Sequence, residues 1–335
     1  MPQLDGLRAV AILLVLIDHT LADGLGPRTE FTWWAPGAAG VRLFFVLSGF
    51  LITGILRQAR ADAEARGASL TAVWKAFYLR RALRILPVAY VVLALGAALH
   101  ASRGLWWFVA YLGNFYVARM VGFDSLTHFW SLAIEEQFYL VWPVLVLALP
   151  MRRHRPMMVA LIVLAGMLRA IYVAHGLWRP AGVLPWTRMD ALVAGGLLSL
   201  LGSARPVWIC AAATFFVTLI LPTGWPSAMI TEWGSIALAG AIVVTASAGF
   251  RGHLGRVLAS PAAVYLGTIS YGLYAWHPFI LIPFAGVGEK VHARGIALAI
   301  AVVLAIGVAS ISWRWLERPF NDLKRFVPYV PSGPD

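Results

Sequence analysis

The sequence predicts an all-α membrane protein, with about ten transmembrane helices around a polar cavity, one cytoplasmic amphipathic helix and one interfacial helix. Three observations predict it. Of the 335 residues, 60% are apolar and only 13% charged, with a mean hydropathy of +0.77, so lipid rather than water suits most of the chain. Long apolar runs separated by short polar breaks recur from Leu7 to Trp315. Each comes close to the ~20 helical residues needed to cross a ~30 Å hydrocarbon layer. Ionisable side chains recur inside those runs, where they are costly and mark functional sites by default.

The runs place spans at about 7–22, 39–57, 87–101, 128–150, 157–173, 187–201, 206–221, 228–249, 267–285 and 294–315. The first lacks a cationic region followed by a cleavable small-residue site and reads as a retained helix. Between spans two and three, 58–86 divides into a solvated linker holding Asp62, Glu64 and Gly67, and a basic amphipathic helix from Trp74 to Arg84. The aromatic stretch 104–118 suits a helix lying in the interface, where Trp and Tyr concentrate. One membrane domain, 1–325, is expected, followed by a flexible proline-containing tail, 326–335. The single cysteine, Cys210, excludes an intramolecular disulfide framework.

The net charge of +12 raises nucleic acid as a partner, but the distribution of the basic residues points to membrane orientation instead. With 104–118 not crossing and the N-terminus inside, 18 of the 27 Lys and Arg fall on the cytoplasmic side. Eight, including Arg28, Arg42, Arg119, Arg179, Lys290 and Arg294, fall on the other, and Arg169 lies within a span. A crossing at 104–118 would move Arg152, Arg153 and Arg155 outside and weaken the bias. The expectation is therefore a cytoplasmic-membrane protein with both termini in the cytoplasm and no nucleic-acid partner; the Ala-, Arg- and Trp-rich composition fits a GC-rich bacterium.

The first span carries Arg8, Asp18 and His19. Eleven residues are almost three helical turns, so Arg8 and His19 share a face about 16 Å apart along the axis. On its own His19 reads equally well as an interfacial residue near a helix end. Comparing depth across spans adds Arg42 and Ser48 in the second, Glu135 and Glu136 in the fourth, Arg188 and Asp190 in the sixth and His277 in the ninth. A shared polar cavity would let these groups satisfy one another, where each alone would cost several kcal/mol; a purely structural network of buried pairs is the alternative. On the cytoplasmic helix, Arg80, Arg81 and Arg84 form a basic cluster, and Arg81 and Arg84 are neighbours at i,i+3. They would grip a diphosphate through forked hydrogen bonds, or serve only as positive-inside charge. Together the two groups fit a nucleotide-like thioester anchored by its phosphates, with a long arm reaching His19.

Six blocks carry a family resemblance. They are Leu4-Asp5-Gly6-Leu7-Arg8 followed by His19, Phe44-Phe45-Val46-Leu47-Ser48-Gly49-Phe50, Tyr78-Leu79-Arg80-Arg81-Ala82-Leu83-Arg84, Trp130-Ser131-Leu132-Ala133-Ile134-Glu135-Glu136-Gln137, Ser270-Tyr271-Gly272-Leu273-Tyr274-Ala275-Trp276-His277 and Leu316-Glu317-Arg318-Pro319-Phe320. In this order and over nearly the whole chain, they resemble the acyltransferase-3 family of integral-membrane O-acyltransferases. The resemblance implies ten helices and transfer of an acyl group, usually acetyl, from acyl-CoA as co-substrate, with no permanently bound cofactor and no metal. The acceptor it implies is a hydroxyl of a glycan, a glycolipid or a small molecule. It makes His19 the catalytic base with Arg8 as same-face partner, puts Arg81 and Arg84 in the donor site, and sets Glu135 near the acceptor. No SGNH-type esterase domain is read after the tenth helix, so transfer is expected to finish in the membrane domain or on a separate partner.

The residue chemistry agrees. A hydroxyl is a poor nucleophile, and a positioned imidazole can take its proton during attack. Glu135 or Asp18 would fix the tautomer of that imidazole, and a buried arginine would stabilise the oxyanion on the thioester carbonyl. Ser48, in an apolar helix, reads first as packing. Two rivals stand: acylation of a macrolide-type metabolite, and a transporter or flippase using the same cavity. The second would ordinarily show internal repeats with broken helices, and the sequence has none.

Overall fold

A backbone crossing hydrocarbon has no water to bond, so every N–H and C=O must be paired within its own segment, which helices achieve. The computed structural model describes residues 1–21, 35–119, 124–201, 205–220, 225–290 and 294–330, and their regular elements are all helical. Arg28 and residues 331–335, the end of the expected tail, lie outside the described residues, as do the side chains of Lys290 and Arg294.

The elements are α1 (Pro2–Leu21), α2 (Pro36–Arg66), α3 (Leu70–Ala98), α4 (Leu105–Val109), α5 (Gly113–Arg119), α6 (Phe129–Ala148), α7 (Met151–Ala174), α8 (Trp178–Val183), α9 (Pro185–Leu198), α10 (Arg205–Ile220), α11 (Trp225–Ala248), α12 (Gly252–Leu258), α13 (Pro261–Thr268), α14 (Ser270–Lys290), α15 (Arg294–Ser312) and α16 (Arg318–Asp322). A π turn, Trp313–Glu317, joins the last two. Among the described residues, six helices are long and apolar enough to cross a membrane: α2, α3, α6, α7, α11 and the run from Gly295 to Phe326 that contains α15. Of the other helices matching expected spans, α9 and α10 have only 14 and 16 residues. Along α7 the exposed side chains Val159, Val163, Met167 and Ile171 repeat every four residues, as do Ile296, Ile300 and Leu304 on α15. Apolar stripes of that extent are tolerated where they meet lipid. The chain is an integral membrane protein.

Four sequence expectations change. The expected linker is the end of α2, which runs unbroken for 31 residues because nothing before Gly67 interrupts it. Gly67 then ends the helix with a left-handed φ of 63°, a conformation open to glycine. The amphipathic helix and the third span are one helix, α3, capped by the Ser69 hydroxyl, which accepts from the Thr71 N–H, and passing through Pro87. The interfacial stretch is two short helices, α4 and α5, broken where Tyr111 takes a φ of 54°. Gln137 of α6 holds that break, its Nε2 donating to the Tyr111 carbonyl at 2.8 Å and to Asn114 Oδ1 at 2.9 Å. The expected ninth span is also divided, α13 ending at Thr268 before α14 begins at Ser270.

Glycine sets the closest helix contacts. A Cβ on Gly49 of α2 would strike the Leu192 carbonyl of α9, and one on Gly195 would strike the Val46 carbonyl in return. Small residues of this kind let membrane helices approach backbone to backbone. Beside them the buried Trp142 indole of α6 donates to Thr53 Oγ1 of α2 at 2.8 Å. The start of α1 is fixed by Gln3, whose side chain donates to the Phe250 carbonyl and accepts from the Phe250 N–H. Gly195→Val is expected to cost about 1–3 kcal/mol of stability by overpacking. Gly54→Ala, whose added methyl meets nothing within 4 Å, is expected to be neutral or slightly stabilising. Thermal unfolding of the two variants in detergent compares them directly.

Candidate active site

Five helices enclose a cavity of about 240 Å³. Arg8 comes from α1, Ser48 from α2, Arg81 and Arg84 from α3, Glu135 and Tyr139 from α6, and Tyr271 and Tyr274 from α14. The i,i+3 spacing of Arg81 and Arg84 does what it predicts and turns both guanidinium groups into one space. Arg81 stacks over the rings of Phe77 and Tyr139, 5.7 and 5.6 Å from their centroids. Arg8 is paired with Asp5, one turn earlier on α1, at 2.5 Å. The Ser48 hydroxyl donates to Glu135 Oε1 at 2.7 Å and accepts from the Tyr139 hydroxyl at 3.1 Å. Glu135 therefore lines the same cavity as Arg81 and Arg84.

A histidine cluster stands behind the wall of that cavity. His19 Nδ1 lies 2.7 Å from His277 Nε2, and the two rings stack with centroids 4.9 Å apart. His277 is fully buried, and its Nδ1 lies 2.7 Å from the Tyr274 carbonyl. The His128 ring sits 5.2 Å from that of His277. Tyr274 joins the two regions: its ring lines the cavity, and its hydroxyl donates to the His128 carbonyl at 2.7 Å, within 2.6 Å of Ser131 Oγ. Arg8 and His19 thus both look toward α14, as their eleven-residue spacing requires. The ring that meets His19 Nδ1 is His277, whereas a carboxylate was expected. Glu135 is bonded to Ser48, and Asp18 lies over Gly37 at the start of α2.

The remaining candidates fall elsewhere. Arg42, Arg188 and Asp190 join a separate buried network with Arg169 and Glu232 that links α2, α7, α9 and α11. Arg42 pairs with Glu232 at 2.5 Å, Arg188 pairs with the same carboxylate, and Arg169 pairs with Asp190. Arg169 also donates to the Thr187 carbonyl at 2.9 Å and lies 3.5 Å from Glu232. Arg80 faces away from the cavity, donates to the carbonyls of Lys324 and Val327, and stacks over Tyr329. Glu136 is half-buried beside Glu135 and does not line the cavity.

Sequence reasoning passed over Asp5, His128, Tyr139, Tyr274 and Glu232. Glu232 was open to discovery, since it is a carboxylate inside an apolar span and the cost that singled out the other charges applies to it equally. Tyr139 sits four residues after Glu135, hence on the same face. His128 carries no such signal, because only tertiary packing brings it to His277; Tyr274, three residues before His277 on α14, shares its face and was open to the same reasoning.

The acyltransferase-3 model, described as an acyltransferase domain, matches residues 1–314. The chain belongs to the acyltransferase-3 family. Among known proteins similar to this chain, YrhL of Bacillus subtilis, provisionally named a peptidoglycan O-acetyltransferase, is 29% identical over 96% of this chain and 55% of its own. The peptidoglycan O-acetyltransferase OatA of Listeria monocytogenes is 26% identical over 100% of this chain and 58% of its own. A provisionally named O-acetyltransferase of Staphylococcus aureus is 27% identical over 96% and 57%. The chain spans just over half the length of these curated relatives. No solved structure gives a significant match.

For this acyltransferase-3 chain the Arg42–Glu232 network is a fold element with a measurable weight. Glu232→Gln leaves buried arginines facing a neutral amide and is expected to cost about 3–5 kcal/mol, the range for breaking a buried pair from one side. Thermal unfolding in detergent reads this. A loss under about 1 kcal/mol would mean that the network does not hold the four helices together.

Proposed function

We propose that the protein is a membrane O-acyltransferase that moves an acyl group, acetyl by family default, from cytoplasmic acyl-CoA to a hydroxyl of a glycan or glycolipid. The observation that carries this reading is the juxtaposition of an arginine-lined cavity with a histidine cluster across the Tyr274 wall. The names of the relatives supply the glycan acceptor, peptidoglycan being the first to try. The reading keeps ten membrane-crossing helices with both termini in the cytoplasm.

Each group has a role in it. Arg81 and Arg84 receive the phosphates of the donor, as charge-assisted partners in fixed positions. The cavity is smaller than the roughly 300–1,000 Å³ of drug-sized ligand sites, which suits a thin thioester arm more than a nucleotide or sugar ring. Arg8, held by Asp5, adds positive charge along that path. His19 takes the proton of the acceptor hydroxyl as its oxygen attacks the thioester carbonyl. Collapse of the intermediate breaks the carbon–sulfur bond, and the proton passes to the departing thiolate.

Membranes carrying the protein, incubated with radiolabelled acetyl-CoA and a glycan panel that includes peptidoglycan, test the proposal. Wild type is expected to label one acceptor, and His19→Ala to lose on the order of 10²–10⁴ of the rate, the worth of a positioned base. Arg81→Ala and Arg84→Ala are each expected to weaken acetyl-CoA use about tenfold or more, the loss of a hydrogen bond to a charged group. Undiminished transfer by His19→Ala, or no transfer by wild type to any acceptor, overturns the reading.

A further inference from the structure

We infer that His277 is the positioning residue for His19, fixing its tautomer so that the reactive lone pair lies on Nε2, and that Pro278 makes this arrangement possible. The inference rests on the reading of His19 as the base and adds what prepares it.

The argument begins with the backbone of α14. In an α-helix the N–H of residue 278 would donate to the carbonyl of residue 274, four positions back. Residue 278 is proline and has no N–H, so the Tyr274 carbonyl lacks its helical donor. A buried carbonyl left in that state costs about 1–3 kcal/mol. His277 supplies the missing donor from its own side chain, its Nδ1 standing 2.7 Å from that oxygen. A carbonyl has no proton to give, so Nδ1 carries the hydrogen.

The rest follows by elimination. A neutral imidazole bears one N–H, so His277 Nε2 holds a lone pair. His19 Nδ1 faces it at 2.7 Å and must be the donor. With its hydrogen on Nδ1, neutral His19 carries its lone pair on Nε2. Charging His277 instead would reverse the contact, at the cost of a buried cation between the rings of His19 and His128. The dipeptide His277-Pro278 thus acts as a tautomer lock: proline opens the acceptor, histidine fills it, and the second ring nitrogen sets its neighbour. This is the part the carboxylate plays for the histidine of a serine hydrolase, filled here by a neutral ring. When His19 Nε2 takes the acceptor's proton, the Nδ1–H bond to His277 remains and shares the imidazolium charge. When the thiolate leaves, Nε2 gives that proton to its sulfur, and both rings return to their starting state.

The full chain, ¹⁵N-labelled at its eight histidines in detergent micelles, tests this without any ligand. Signals are assigned by single His→Gln variants. Both His19 and His277 are expected to show protonated Nδ1 and bare Nε2. A hydrogen on His19 Nε2, or a charged His277, overturns the inference. Pro278→Ala restores an N–H to compete for the Tyr274 carbonyl and is expected to mix the tautomers of His277; an unchanged pattern there removes proline from the account. In the acetyl-CoA assay, His277→Phe keeps the ring but accepts no hydrogen bond, and is expected to lose on the order of 10²–10⁴ in rate, by comparison with tautomer loss in the serine hydrolases. His277→Gln offers an amide oxygen to His19 Nδ1–H and is expected to recover to within about tenfold of wild type. Phe and Gln variants of equal rate overturn the positioning role. Normal transfer by His19→Ala defeats the base reading instead, and leaves the ¹⁵N pattern of the wild type to stand on its own.

Discussion

A charge carried from water into hydrocarbon must find a partner or a polar cavity, and this cost sorts the interior of the protein. It yields two solutions that look alike in the sequence. Around Glu232 the charges pair with one another, arginine to carboxylate, and Arg42, Arg169, Arg188 and Asp190 are consumed in joining four helices. Around the cavity, Arg81 and Arg84 meet aromatic faces, a hydroxyl pair and open space. The first arrangement is closed and the second is receptive. Of the two, the second lines the cavity.

Helix packing keeps the two apart. The glycine contact between α2 and α9 sets those backbones together, so α2 presents Arg42 to the network and Ser48 to the cavity on either side of a solid contact. The buried Trp142–Thr53 bond fills the seam next to it. At the end of α15 a π turn re-aims the chain and sets Glu317 against Gly272 of α14, where the Ser312 hydroxyl donates to it at 3.2 Å. Single π turns of this kind recur at functional sites because the extra residue redirects a side chain. Gly272 is what allows that carboxylate to approach.

Fold class and most of the cavity were legible in the sequence for one reason: periodicity and burial cost are local properties. Arg81 with Arg84, Arg8 with His19, and the apolar length of α2, α3, α6 and α7 can each be read within a single helix. What escaped depended on pairs of helices. Which arginines would be neutralised turned on Glu232 reaching Arg42 across 190 positions. Arg80 looks identical to Arg81 in sequence, yet one residue of rotation turns it toward the Val327 and Tyr329 backbone and ring. The expected linker in α2 failed for a local reason: Asp62 and Glu64 were weighed as solvation, although neither breaks a helix and the first true stop is Gly67.

The wall between cavity and histidines has a chemical consequence for the proposed reaction. A thioester in reach of a base and of water is hydrolysed, so an acyltransferase must keep water from its donor until an acceptor hydroxyl arrives. Here Tyr274 and Ser131 stand between the arginine side and His277, tied to each other at 2.6 Å and to the backbone of His128. Tyr274 thus belongs to both halves: its ring faces the donor cavity, and its carbonyl receives His277. A shift of this one residue would move the barrier and the tautomer lock together. On the proposed reading, coupling the two would ready the base only when the partition behind it is in place, and would link selectivity against water to the geometry of the base itself.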